Sequence, residues 1–292
     1  MDFSIVVPTY NRPGLLQNTL RSFAKYLPKH DCEVIVCVDD DNNHAPESVA
    51  HIIEAKEEGL NIIAVDTAPY KIQGGWCAET YPLNVGIKKA QGEYILLNCG
   101  EVMMLSDVIS VHKDIHFWAG RGGKELAVFS TVYFMSQGQQ ENMLAGHWML
   151  TPQEMVDKVK PDDYCAPWNM RPLHFQMSIK RKHLVKMRGF DEMYYGSYGL
   201  YAGGDNDFSF RLKQMEIAFA FSDKAMGLHQ WHPANKECSR GEKTGTDMSV
   251  RNKCFNVSPI RNVGWEWGEY PRKTETMDRI IKASEEHERM GT

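Results

Sequence analysis

The sequence predicts an α/β protein with a Rossmann-like, mostly parallel central sheet flanked by helices. Three stretches predict it. Phe3–Val7 is an apolar, β-rich run that stops at Pro8; a polar turn, Thr9–Gly14, follows; and Leu15, Leu16, Leu20 and Phe23 then recur at helical spacing. Glu33–Val38 is a nearly continuous apolar run, the pattern of a strand covered on both faces. Asn84–Leu97 reads as a helix, a stop at Gly92 and a further strand.

Taken in order, these elements also mark where chemistry belongs. The turn after the first strand sits at its carboxyl end, where open α/β sheets bind their ligands. It carries neither a dinucleotide-binding nor a P-loop glycine pattern. The second strand ends in Asp39-Asp40-Asp41-Asn42-Asn43. Adjacent carboxylates repel one another, so this is either a solvated acidic turn or one that meets hydrogen-bond donors. Asn61–Val65 reads as a third short strand and leads into an irregular loop, Pro69–Pro82. The fourth strand ends in Asn98-Cys99-Gly100-Glu101. After Leu173–Arg181 and a Met187–Glu192 turn come a Gly/Tyr-rich loop, Tyr194–Tyr201, and then Gly203–Leu212. Asp205 there precedes a helix over Phe208–Met215 and has the residue type of an N-cap. Ala218–Phe221 is strand-like, and Gly227–Pro233 holds His229 and His232, three apart. Such a pair reads either as ordinary surface or core histidines or as ligands, and His232 before Pro233 is biased to extended backbone.

Val7–Arg12 (VPTYNR), Ile35–Asp40 (IVCVDD), Asn84–Leu97 and Asp205–Leu212 (DNDFSFRL) occur in the order and spacing of a known pattern. Together they resemble inverting, family 2-type glycosyltransferases of the GT-A fold. The resemblance implies roles residue by residue. Pro8, Tyr10, Asn11 and Arg12 lie under the donor nucleotide; Asp39 accepts the base N–H, with Asp40 its neighbour; Asn84 and Asn98 fall on the donor side. Asp205 is the catalytic carboxylate, because one carboxylate must take the acceptor's proton, and Asp207 is the second carboxylate. The family's D-x-D motif holds a divalent cation at the donor's diphosphate, but Asn98 and Gly100 stand at the usual Asp positions here. Glu101 alone keeps an acidic group, so Mn²⁺ or Mg²⁺ would be held by Glu101 with His229, the first choice, or His232. Leu83 replaces a frequent Arg, for which Lys71, Lys88 or Arg12 could substitute, and Gly204 replaces a Glu.

The resemblance therefore implies transfer of a sugar, with inversion, from a nucleoside-diphosphate sugar to a hydroxyl on a glycan or other acceptor. Nucleic acid enters only as an acceptor, for example a hydroxylated base in phage DNA. The degenerate D-x-D leaves a rival of another class, a non-catalytic sugar-nucleotide- or glycan-binding relative, which would show no donor hydrolysis.

Length and composition agree. With 292 residues the chain can bury a large core. A net charge of −5 argues against a general polyanion binder. There is no run of roughly 18 apolar residues, and no signal peptide is evident. Seven cysteines without C-x-x-C suit a reducing compartment, so a cytoplasmic location without a membrane span is expected. The expected organisation is a glycosyltransferase domain over 1–235, with a nucleotide-sugar half (1–105) and an acceptor half (106–235), and a C-terminal extension over 236–292. That extension is locally basic and contains Trp265 and Trp267, read either as a solvated face with packed aromatics or as a lid followed by a helix.

Overall fold

The computed structural model describes residues 1–40, 42–67, 80–144, 174–190, 204–233, 259–260 and 267. The first strand, β1 (Phe3–Thr9), is buried along its whole length. Side chains alternate across a strand, so it feeds two cores. Phe3, Ile5 and Val7 pack with Leu16, Leu20 and Phe23 of helix α1 (Pro13–Tyr26), whereas Val6 packs on the opposite face with Leu83 and Ile87 of α3 (Thr80–Lys89). Strand β2 (Cys32–Val38) divides in the same way, with Val34, Val36 and Val38 on the first face and Ile35 and Cys37 on the second. The unbroken apolar runs in the sequence are strands sandwiched between helices.

Helix α2 (Ala45–Glu57) leads to the edge strand β3 (Ile62–Asp66), and α3 leads to β4 (Tyr94–Asn98). There follow β5 (Val102–Met104), α4 (Val108–Arg121), β6 (Leu126–Phe134), α5 (Gln137–Leu144), β7 (Gln176–Lys180), α6 (Arg181–Met187), α7 (Gly204–Gln214) and β8 (Ala218–His229). The sheet has eight strands in the order β3-β2-β1-β4-β7-β6-β8-β5. The β3-β2-β1-β4 half is parallel, as the sequence predicts, and so is β6 with β8. Strand β7 runs antiparallel to both β4 and β6, and β5 antiparallel to β8, so the complete sheet is mixed. Strand β8 extends well past the short run expected at Ala218–Phe221, because its second half pairs with both β6 and β5.

Two features position the site. The carboxyl ends of the parallel strands β1, β2 and β4 lie on one side, and the antiparallel β5–β8 pairing sets Val102 opposite His229. The end of β8 is thereby delivered to the segment that follows β4. Among the described residues, no helix is long and apolar enough to cross a membrane. The extension over 236–292 lies outside the described residues apart from 259–260 and Trp267. Trp267 takes the packed reading: it is buried in the core cluster that contains Phe190 and Leu184, and Lys88 Nζ lies 5.5 Å from its ring centroid.

Helix α4 buries two histidines against the sheet. His112 Nδ1 and His116 Nε2 each lie 2.8 Å from Ser178 Oγ of β7, and His112 Nε2 lies 3.1 Å from Ser130 Oγ of β6. Burial pushes both pKa values down, to about 3 for His112 and about 4 for His116, so both are neutral in the folded protein at neutral pH. In the unfolded chain they titrate near the ordinary value of about 6.5. The unfolded state therefore binds more protons below that pH, and stability falls as pH drops from about 6.5 towards the folded-state values. At pH 5 the loss should be about 2 kcal/mol per histidine. Urea unfolding between pH 7 and pH 5 should show this slope, and His116→Gln should remove close to one proton of uptake from it. An unchanged slope in the variant would refute the assignment.

Candidate active site

The turn after β1 is fixed by a left-handed residue. Asn11 has φ 51°, a conformation Asn tolerates better than most residues, and Arg12 follows in the N-cap position with Pro13 at the first helical position. The Asn11 backbone N–H donates to Asp40 Oδ1 at 2.6 Å, and the Ser48 hydroxyl of α2 donates to the other Asp40 oxygen. Asp40 is 1 % exposed. Asp40 thus braces the turn. Asp39 is also buried, and its backbone N–H donates to Thr9 O at 3.0 Å. Pro8 lies within β1 opposite Cys37 and shapes the strand end, while Tyr10 remains partly exposed in the turn.

Asn84 and Asn98, both expected on the donor side, make hydrogen bonds within the protein. Asn84 is fully buried, donates Nδ2–H to Phe190 O at 2.9 Å and accepts from Phe190 N at 2.7 Å. This ties α3 to the turn after α6, where Arg188 and Gly189 are both left-handed. Asn98 is likewise fully buried. Its amide donates to Cys99 O and Val102 O, and its Oδ1 accepts from Gln176 Nε2 at 2.8 Å. These partners lie 78 and 106 residues away in the chain.

Gly100, at a position where the resembled pattern has an Asp, has no room for a side chain. A β-carbon there would lie 2.6 Å from Pro8 O, and the Gly100 carbonyl accepts from Thr19 Oγ1 at 2.7 Å. The acidic group comes one residue later. Glu101 Oε1 lies 3.3 Å from Arg12 Nη1, 3.4 Å from His232 Nε2 and 3.7 Å from His229 Nε2. Burial opposes ionisation of Glu101, but its hydrogen bond with His232 and the charges of His229 and Arg12 outweigh burial and hold its pKa at about 2.

The outer ring nitrogens orient the two histidines. His229 Nδ1 is 2.9 Å from Gln230 O and His232 Nδ1 is 3.1 Å from Pro233 O. A carbonyl only accepts, so Nδ1 carries a hydrogen in both rings: a protonated ring donates Nε2–H to Glu101, and a neutral ring turns an Nε2 lone pair to the same point, the arrangement typical of metal-ligating histidine. Burial lowers the His229 pKa and favours its neutral form. The candidate ligand atoms of Glu101, His229 and His232 all lie within 4.8 Å of one another. Ligands at about 2.0–2.2 Å from one ion stand roughly 3–4 Å apart, so the residues fit a divalent cation. Two imidazoles beside a single carboxylate suit Mn²⁺ or a later transition metal better than Mg²⁺, which prefers oxygen.

Gln230 has a role its sequence neighbourhood did not reveal. Its side chain is fully buried. Its Nε2 lies 2.9 Å from Leu15 O, and its Oε1 accepts from Asn18 Nδ2 at 2.9 Å. Its backbone N–H donates to Glu101 O at 3.0 Å. It clamps the end of β8 onto α1 and so holds both histidines beside Arg12.

Asp205 and Asp207 fall in the first turn of α7, and their side chains lie outside the described residues. The helix itself is anchored: Phe208 stacks on Phe190 at 4.2 Å between centroids, and buried Arg211 donates to Gly189 O at 2.8 Å. The Tyr194–Tyr201 loop and Lys71 also lie outside the described residues.

Comparison with known proteins follows from this geometry. Residues 4–98 match the model of glycosyl transferase family 2. Chondroitin synthase of Escherichia coli is 26% identical over 272 residues, covering 85% of this chain and 37% of that protein. The Staphylococcus aureus poly(ribitol-phosphate) beta-N-acetylglucosaminyltransferase TarS is 34% identical over 97 residues, 33% of this chain and 15% of TarS. The chain thus spans little more than a third of the length of the first relative and less of the second. Among solved structures, S. aureus TarS in complex with UDP-GlcNAc aligns with a TM-score of 0.55 at 19% identity, covering 82% of this chain and 61% of that one. The Pyrobaculum calidifontis mannosyltransferase PcManGT, in complex with GDP-Man and Mn²⁺, aligns with a TM-score of 0.51 at 14% identity, over 80% of this chain and 57% of that one. The fold is GT-A, and the sequence likeness to glycosyl transferase family 2 lies in residues 4–98.

The contact between Gly100 and Pro8 O gives a stability test. Gly100→Ala should cost about 1–3 kcal/mol through overpacking, and Gly100→Asp should do no better despite restoring an acid at this position. Urea unfolding at neutral pH measures both. Wild-type stability in Gly100→Ala would show that the strand end is looser than described.

Proposed function

We propose that this chain, a glycosyltransferase of the family 2, GT-A type, transfers a sugar with inversion from a nucleoside-diphosphate sugar to an acceptor hydroxyl. The observation that carries the reading is the convergence of Arg12, Glu101, His229 and His232 at the carboxyl end of the parallel strands. That is where an α/β sheet receives a ligand, and the group combines positive charge with the donor set of a divalent cation. The UDP-GlcNAc bound to TarS makes a uridine diphosphate sugar the first donor to test.

In this reading residues 1–105 bind the nucleotide sugar and 106–235 present the acceptor. Asp39, buried at the end of β2, accepts a base N–H. The braced turn at Asn11 presents Arg12 to the diphosphate. Glu101, His229 and His232 would hold a divalent cation, whose charge would offset that of the diphosphate. Asp205, at the start of an anchored helix, takes the proton of the acceptor hydroxyl as its oxygen attacks the anomeric carbon. The bond from that carbon to the phosphate oxygen breaks, and the nucleoside diphosphate leaves with the bonding pair. Asp207 holds the acceptor. The acceptor in this reading is a glycan hydroxyl.

Release of UDP from a panel of UDP-sugars with Mn²⁺ present tests the reading. Asp205→Asn should lower transfer about 10²- to 10⁴-fold, the usual worth of a positioned base, while leaving donor affinity nearly unchanged. Loss of turnover in Asp207→Asn with near-normal Asp205→Asn would move the base by two residues. Asp39→Ala should weaken UDP binding by roughly 1.5–3 kcal/mol, the value of one hydrogen bond to a charged group, in titration calorimetry. Excess EDTA and Glu101→Gln should each suppress turnover; full activity in EDTA would remove the cation from the mechanism.

A further inference from the structure

Arg12 occupies an unusual position for a donor-binding residue. A single guanidinium nitrogen, Nη1, lies 3.3 Å from Glu101 Oε1 and 3.3 Å from His232 Nε2. It therefore engages two of the three atoms that would ligate a cation. With both imidazoles neutral and no positive group between them, a carboxylate oxygen and two Nε2 lone pairs aimed at one point would repel one another. Arg12 relieves that repulsion from a turn whose backbone is pinned by Asp40, and its side chain, 28 % exposed, has space to leave. A guanidinium also suits phosphate oxygens in bidentate geometry.

We propose that Arg12 is a resident placeholder cation. It fills the Glu101–His232 position when no metal is bound, competes with the metal for those ligands, and is drawn off by the diphosphate. Metal loading thereby depends on the presence of donor. The inference rests on the cation reading above and adds to it an energetic coupling between metal and donor that passes through one side chain. A bound metal and a bound Arg12 cannot share the same two ligand atoms, so removal of the guanidinium should tighten metal binding, the reverse of what loss of an ordinary supporting residue would do. Coupling of this kind is reciprocal, so it should appear in metal binding measured alone.

The experiment is a Mn²⁺ titration of the full chain, without nucleotide, followed by electron paramagnetic resonance of the free ion. Wild type is compared with Arg12→Gln, Arg12→Met and Glu101→Gln, each checked for a wild-type thermal melt. Arg12→Met keeps the apolar stem, so agreement of the two Arg12 variants separates charge from packing. Both should bind Mn²⁺ at least tenfold more tightly than wild type, and Glu101→Gln should bind more weakly. Unchanged or weaker binding in both Arg12 variants, with loss in Glu101→Gln, would leave the metal site standing and overturn the placeholder. Absence of saturable Mn²⁺ binding in all four proteins would overturn both.

Discussion

The Asn11 N–H···Asp40 hydrogen bond is the constraint on which the site depends. Asp40 is buried, and its second oxygen is held by Ser48 of α2, so the carboxylate cannot follow the turn if the turn moves. The left-handed backbone at Asn11 then determines where Arg12 emerges, and Arg12 meets Glu101 at the end of the neighbouring parallel strand. Two acidic groups at the ends of β2 and β4 are thus connected through two consecutive residues of one turn. One fixes the backbone and the other receives the charge.

The sequence around Glu101 shows how packing redistributes chemistry. Pro8 O closes off the Gly100 position, and Asn98 is committed to Cys99, Val102 and Gln176. Neither position can project a carboxylate into the site without disturbing the strand end. The groups that face Glu101 come from the other half of the sheet, where the antiparallel β5–β8 pairing carries His229 and His232 to it. As ligands, these nitrogen donors would give a site with less negative charge and a different metal preference from one built of carboxylates.

Much of this was legible in the sequence because it is local. Strand, turn and helix at residues 3–26 follow from hydrophobic period, and two-sided burial of β1 and β2 follows from unbroken apolar runs. Grouping Glu101 with His229 and His232 needed the family resemblance, since no local pattern joins residues 128 or more positions apart. The roles of Asp40, Asn84, Asn98 and Gln230 were not legible. Each has the polar chemistry of a binding residue, but at least one of its hydrogen-bond partners comes from a distant segment, and only the fold brings the two together. Arg12 was visible as a cation but not as a partner of Glu101, for the same reason.

The clamp of Gln230 onto Leu15 and Asn18 has a consequence for synthesis on the ribosome. The turn after β1 and Glu101 leave the exit tunnel early, whereas the clamp and its two flanking histidines follow about 130 residues after Glu101, a delay on the order of ten seconds at typical elongation rates. Throughout that interval the nascent chain has the acid without its imidazoles. Only when β8 docks do His229 and His232 reach Glu101 beside Arg12, so the meeting of these four side chains reports that the whole sheet has closed.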